Sequence, residues 1–298
     1  MKKIVYYLIT ILKGFFMGIA AIIPGVSSGT VAVLLGFYDK LVKAVDTIVS
    51  LKKGLIAAII FLVLIYGGNF LALFSLAGSM NDLLEHFPNQ MKLFFIGLII
   101  GSMPLIINKI QEQGKTNIFH WKLIVPFILS AGFLILLNVF TAEDTNAEPL
   151  RTLTLGNSFL IFFTGLIASA TAIIPGVSGS MVQLAIGMYP TFTYALEEMN
   201  IPILIVLFLG MALGLVFAAK LISYLLKQFY HMTYATIVGL LVGSVFQIRP
   251  IIEGTLTFLQ IMMYITLFGL GFALAYVSNV FDRKKMKIKK HLTQEEIA

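Results

Sequence analysis

No cysteine occurs among the 298 residues, which excludes disulfides, a thiolate nucleophile and a sulfur-ligated metal. Histidine is nearly as scarce. His86, His120, His231 and His291 lie near segment ends without His-Glu-x-x-His spacing, so neither a metal site nor a cofactor is expected. Charged residues make up only 12% of the chain, and the long apolar stretches hold no carboxylate for acid–base chemistry. Gly114-Lys115-Thr116 imitates the end of a phosphate-binding loop, but the first glycine of that motif falls on Lys109. Without a nucleotide site, any transport is driven by a gradient or a partner subunit, and nothing points to nucleic acid.

What the chain has is apolar residues. With 59% hydrophobic residues and a mean hydropathy of +0.96, it belongs in a bilayer, because a soluble chain of this length has no means of hiding that surface. Six stretches are long enough to cross: about 54–78, 92–108, 122–140, 202–222, 234–248 and 258–280. Lys2 and Lys3 followed by the apolar run from Ile4 imitate a secretory signal, with Gly18 and Ala20 as a cleavage site. The internal copy described next argues that this segment stays in the fold.

The heptapeptide AIIPGVS of Ala21 to Ser27 recurs 151 residues later as Ala172 to Ser178. Extended without gaps from Gly14/Gly165 to Ala44/Ala195, the match holds 12 identities in 31 pairs, including Gly36/Gly187 and Tyr38/Tyr189. A second pair, GLIIGS at Gly97 and GLLVGS at Gly239, places a matching helix in each half, its glycines suited to close helix packing. After each Pro-Gly only about ten apolar residues precede the tyrosine, about 15 Å of helix against a core of about 30 Å. Each repeated segment is therefore expected to be a re-entrant hairpin.

Charge fixes an orientation. Lys40, Lys43, Lys52 and Lys53 follow the first hairpin, whereas Glu197 and Glu198 follow the second, so the two enter from opposite faces. With cytoplasmic termini and six crossings, 18 of 21 basic residues fall inside, and only Lys92, Arg151 and Arg249 fall outside. The expected fold is all-α: a polytopic membrane protein of two inverted repeats, each a re-entrant helical hairpin plus two transmembrane helices. The expected organisation is one membrane domain over 1–298. Repeat 1 covers 14–110, a linking helix and outer loop 111–155, repeat 2 156–250, the last transmembrane helix 251–281 and a basic cytoplasmic tail 282–298. A central Lys13 is costly in a spanning helix, about 2.5–3.5 kcal/mol or more, which assigns Ile4 to Leu12 to the membrane interface.

The breaks are the candidate binding site. Pro24, Gly25, Ser27, Ser28, Gly29 and Thr30 in the first copy, and Pro175, Gly176, Ser178, Gly179 and Ser180 in the second, free backbone groups at membrane depth. Each starts a short helix whose first N–H groups are unpaired. One helix start contributes about 0.3–1 kcal/mol toward an anion, and about 2 where partly buried, so two converging starts with hydroxyls suit a phosphate. The plainer alternative is a kink whose serines bond back to neighbouring carbonyls. Gln183 and Gln247 are amides in apolar surroundings that serve either a phosphate oxygen or helix packing. Arg249, before Pro250, either recruits a headgroup or anchors a helix end, and Lys220 is placed to snorkel.

With GFFMGIAAIIPGVSSGTVAVLLGFY and GLIASATAIIPGVSGSMVQLAIGMY in its two halves, the chain resembles the PopT-type polyprenyl-phosphate translocases over nearly its whole length. It departs from them at Ser28, where glycine is common, and at Ala21, where an acid is frequent. The resemblance implies return of undecaprenyl phosphate from the outer to the inner leaflet of the bacterial plasma membrane, with no enzymatic step; carrying an anion inward against an inside-negative potential makes proton or sodium a candidate coupling ion. Two rival classes remain beside it. One is an integral-membrane undecaprenyl-pyrophosphate phosphatase, for which an arginine beside the serine and embedded glutamates are missing; the other is a small-anion transporter.

Overall fold

The computed structural model describes residues 2–22, 26–112, 120–141, 148–252 and 254–295. Among these residues all regular structure is helical, and the helices run through the same order twice. The first half comprises α1 (Lys2–Ile22), α2 (Ser28–Leu34), α3 (Tyr38–Val49), α4 (Leu55–His86), α5 (Pro88–Glu112) and α6 (Trp121–Thr141). The second comprises α7 (Leu155–Ile173), α8 (Gly179–Ala185), α9 (Tyr189–Glu197), α10 (Ile201–Gln228), α11 (Tyr230–Gln247) and α12 (Phe258–Glu295). Seven helices are long and apolar enough to span a membrane, and their outward faces carry side chains such as Phe74, Leu129, Leu155 and Leu259, 67–94% exposed, that lipid covers. The chain is a multi-pass membrane protein.

Five of the seven spans coincide with expected crossings; the other two are α1 and α7, the first arms of the repeated segments. The expected crossing at 234–248 lies in α11, which is only 18 residues long, opens on Tyr-His-Met-Thr-Tyr and closes on Gln247, and is not among the seven. At the N-terminus, α1 is one helix from Lys2 to Ile22. Lys13 is accommodated because its ammonium turns inward, donating to the Leu35 carbonyl at 2.7 Å and lying 5.5 Å from the centre of the Phe37 ring. That carbonyl is an open acceptor at the end of α2, where a cation is favoured.

The same contact shows that the chain doubles back. α2 returns from the break only as far as the level of Lys13, and Lys40 of α3 reaches the Tyr6 ring of α1. In the second copy, Thr191 of α9 accepts from the Leu150 amide just before α7 at 3.0 Å. Both short helices stop for the same reason. Gly36 and Gly187 take φ of +68° and +69°, and their amides bond Val33 and Leu184. The next amides, Phe37 and Met188, bond Ala32 and Gln183, which completes a Schellman stop at the repeated Gly-x-Tyr.

Packing partners also repeat. α1 lies along α4 as α7 lies along α10, and α5 lies along α12 as α11 lies along α6. The last helix of each half therefore packs on the fifth helix of the other half. The paired GLxxGS glycines permit this: Gly97 faces the Phe268 backbone and Gly101 that of Phe272, while Gly239 faces Phe127 and Gly243 faces Ala131. These contacts make Phe268 of α12 the counterpart of Phe127 of α6. The largest core runs between the halves, with Tyr38, Ile65, Ile106, Tyr234 and Leu241 at 2% exposure or less.

Candidate functional site

The two breaks meet. Thr30, 1% exposed, accepts a hydrogen bond through its Oγ1 from the Gly176 amide of the other copy at 2.8 Å. Ser27 Oγ donates to the Ile174 carbonyl at 3.2 Å and also accepts from the Gly29 amide at 3.2 Å, which makes it the N-cap of α2. Two backbone groups freed by the second break are thus satisfied by hydroxyls of the first, as burial away from water requires.

Glycine is needed where the backbones come closest. A methyl on Gly29 lands 2.7 Å from the Ile173 carbonyl oxygen, and Gly176 sits at φ +83°, where a methyl lands 2.6 Å from the Leu240 carbonyl oxygen. No other residue type fits either position without moving backbone.

The second copy is arranged differently. Ser178 caps α8 by position but makes no side-chain cap; its Oγ lies 2.8 Å from Ser180 Oγ. Ser178 is 7% exposed, whereas Gly179 and Ser180 are half-buried, and Pro175 is buried. Among the described residues this hydroxyl pair makes no hydrogen bond to backbone across the junction. Ser28 donates back to the Met17 carbonyl at 3.3 Å, the plainer role anticipated for these serines. Pro24 and Gly25 lie outside the described residues.

Of the remaining candidates, Gln183 is buried on α8 at 4% exposure. Gln247 ends α11, and its Oε1 is buried without a hydrogen-bond partner among the described residues. Arg249 is exposed and stands apart from the junction, in the loop after α11. Asn89 holds that loop at the start of α5, donating to the Ile251 carbonyl at 2.7 Å and accepting from its amide at 3.0 Å.

Two polar clusters on α3 have no counterpart in the sequence reading. Asp39 pairs with Lys109 of α5 at 2.6 Å, and Tyr234 of α11 hydrogen-bonds both. Asp46, 5% exposed, accepts from Ser223 of α10 at 3.0 Å, Lys52 at 2.6 Å and Ser50 at 3.1 Å, with Lys227 at 3.8 Å. Burial pushes the Asp46 carboxyl up, but hydrogen bonds from Lys52, Ser223 and Ser50 together with the Lys52 charge outweigh it and hold it below its ordinary 3.8. The available signal was an acid in α3 whose helical register, one turn on from Val42, faces the core, among lysines that suggested only a solvated linker.

An apolar cavity of about 490 Å³ lies beside the junction, bounded by α1, α2, α5 and α12. Val31, the residue after Thr30, is part of its wall.

The family described as undecaprenyl phosphate translocase-like matches residues 17–280. A protein of Vibrio cholerae named polyprenyl-phosphate transporter is 32% identical over 259 residues, 83% of this chain and 79% of that one. A Staphylococcus aureus protein of the same name is 32% identical over 250 residues, 81% of this chain and 86% of that one. No solved structure matches. The chain belongs to the undecaprenyl phosphate translocase-like family.

Proposed function

We propose that this membrane protein moves polyprenyl phosphate between leaflets, returning undecaprenyl phosphate from the outer to the inner leaflet of a bacterial plasma membrane for reuse in envelope synthesis. The observation that carries the proposal is the junction of the two hairpin breaks, where non-helical backbone and hydroxyls from both halves converge. Such backbone within a membrane is tolerated where protein buries it or it lines a polar path. The relatives named polyprenyl-phosphate transporter support the substrate class and a transport role rather than an enzymatic one.

In this reading the halves are inverted in the bilayer, each hairpin re-entrant, with both termini cytoplasmic. Ser178 and Ser180 ligate the phosphate together with the Gly179 and Ser180 amides at the start of α8. Ser27 and Thr30 hold the two breaks in register, with Gly29 permitting their approach and Gly176 permitting that of the second break to α11. Pro24, Gly25 and Pro175 keep the helices interrupted. Gln183 supplies a further donor, and Arg249 receives the headgroup at the outer face. The anionic head needs such a path because bare transfer through hydrocarbon costs tens of kcal/mol, while the tail stays in lipid.

Inward movement of an anion against an inside-negative potential costs about 2.3 kcal/mol per charge per 100 mV, which makes proton or sodium the expected coupling ion. The test is leaflet-resolved flipping of undecaprenyl phosphate by purified protein in liposomes. The double variant Ser178→Ala, Ser180→Ala is expected to lose flipping with normal expression and folding; full activity in it overturns the site assignment.

A further inference from the structure

The two halves also differ in how the space beside their short helices is filled. Three positions around the 490 Å³ cavity have defined counterparts in the second half. Val31 matches Val182 through the AIIPGVS repeat, and Leu98 matches Leu240 through the GLxxGS repeat. Ala275, seven residues after Phe268, matches Leu134, seven after Phe127, through the glycine contacts of both helix pairs. In the second half these positions are packed: Leu134 is 0% exposed and forms one cluster with Leu240 and Val177, against which Val182 lies. In the first half the bulky Leu134 is replaced by Ala275, and the cavity stands where its side chain would reach.

We propose that this cavity receives the polyisoprenyl chain of the lipid whose phosphate the junction takes, a proposal that rests on the transport reading above. Its volume is that of a small-molecule site, about 300–1,000 Å³. The lining side chains are all apolar, and Phe16 and Leu274, 47% and 58% exposed, open it onto the lipid-facing surface between α1 and α12. Continuity selects the occupant. α2 carries Thr30 at the junction and Val31, Leu34 and Leu35 in the cavity wall, so a phosphate at the junction leads its covalently attached tail along α2. A branched isoprenoid needs an irregular apolar wall, and Met91, Phe94 and Leu98 of α5 provide one.

The test uses full-length protein in liposomes with two substrates of identical head, undecaprenyl phosphate and geranyl phosphate. Ala275→Leu, which copies the residue at the matching position, and the larger Ala275→Phe fill the cavity. Flipping of undecaprenyl phosphate is expected to fall about tenfold or more in Ala275→Phe and less in Ala275→Leu, while geranyl phosphate stays within about twofold of wild type. Wild-type protein that flips neither lipid refutes the transport reading; wild type that flips undecaprenyl phosphate and is matched by Ala275→Phe refutes the tail site alone.

A second measurement needs no variant and settles the case in which Ala275→Phe loses both substrates. A prenyl phosphate with a photoreactive tail is expected to label wild-type residues 91–98 and 274–275, with undecaprenyl phosphate competing and phosphatidylglycerol not. Labelling elsewhere, or equal competition by phosphatidylglycerol, overturns the proposal in favour of an ordinary annular lipid.

Discussion

Replacing Thr30 with valine removes one hydroxyl and leaves its shape nearly unchanged, which makes it a clean probe of the joint between the two hairpins. Thr30 is 1% exposed, and its Oγ1 is the acceptor for the Gly176 amide at 2.8 Å. Gly176 is itself buried, so no water stands ready to replace the lost acceptor. A buried donor left without a partner costs about 1–3 kcal/mol, well above the few tenths that a matched apolar swap costs, and the Ser27–Ile174 bond at 3.2 Å remains in place. A penalty of that size shifts a local opening equilibrium by about 5- to 150-fold. Amide hydrogen exchange in detergent reads it directly: protection of the peptide covering 174–178 is expected to fall by that factor in Thr30→Val and to be retained in Thr30→Ser, with helices remote from the junction unchanged. Wild-type protection at Gly176 in Thr30→Val refutes the claim that this bond joins the halves.

Two glycine-to-alanine changes are expected to act with opposite sign in thermal unfolding. Gly29→Ala drives its methyl to 2.7 Å from the Ile173 carbonyl and lowers stability by separating backbones, whereas Gly132→Ala, with nothing within 4 Å, gains up to about 1 kcal/mol of helix propensity. Asp46 makes stability depend on acid. Because its folded pKa is depressed, its contribution is complete above the ordinary value of 3.8 and is lost as pH falls below 3.8 through the lowered folded value. Asp46→Asn is therefore expected to melt lower than wild type near neutral pH, with the two melting curves converging in acid; a constant gap at every pH refutes this.

The sequence carried the membrane, the duplication and the glycine seams because each is written in local pattern: long apolar runs, a repeated heptapeptide and glycines four apart. Gly36 and Gly187 are legible for the same reason, since a helix stop is a local event. Lys13 was misleading because its cost was judged against lipid, while the partner that removes it, the Leu35 carbonyl, lies 22 positions away on a returning helix. The serines of the two copies look alike in sequence yet divide their work. Ser27 and Thr30 bond the opposite break, and Ser178 pairs with Ser180, partners that no local pattern reveals. The Asp46 cluster was invisible for a similar reason, because Ser223 is 177 positions distant.

The junction also bears on what can move in the proposed transport. Separating the hairpins breaks two hydrogen bonds, and the buried Gly176 amide, whose hydrogen bond among the described residues is the one to Thr30, is left unpaired at about 1–3 kcal/mol. Sliding apolar helix faces past lipid carries no comparable penalty, because acyl chains are as apolar as the side chains they replace. The two hairpins therefore favour travelling as one body, and alternation falls on the apolar contacts that flank them. Those are the contacts at which the halves differ: α12 leaves a cavity beside α2, while α6 fills the matching space beside α8 with Leu134. The sides are also held unequally. α3 is tied to α5, α10 and α11 through Asp39 and Asp46, whereas the matching positions of α9 are Pro190 and the exposed Glu197. Among the described residues, ion pairs hold the α3 side and none holds α9, so in the proposed transport separating α9 from its neighbours carries the smaller electrostatic cost.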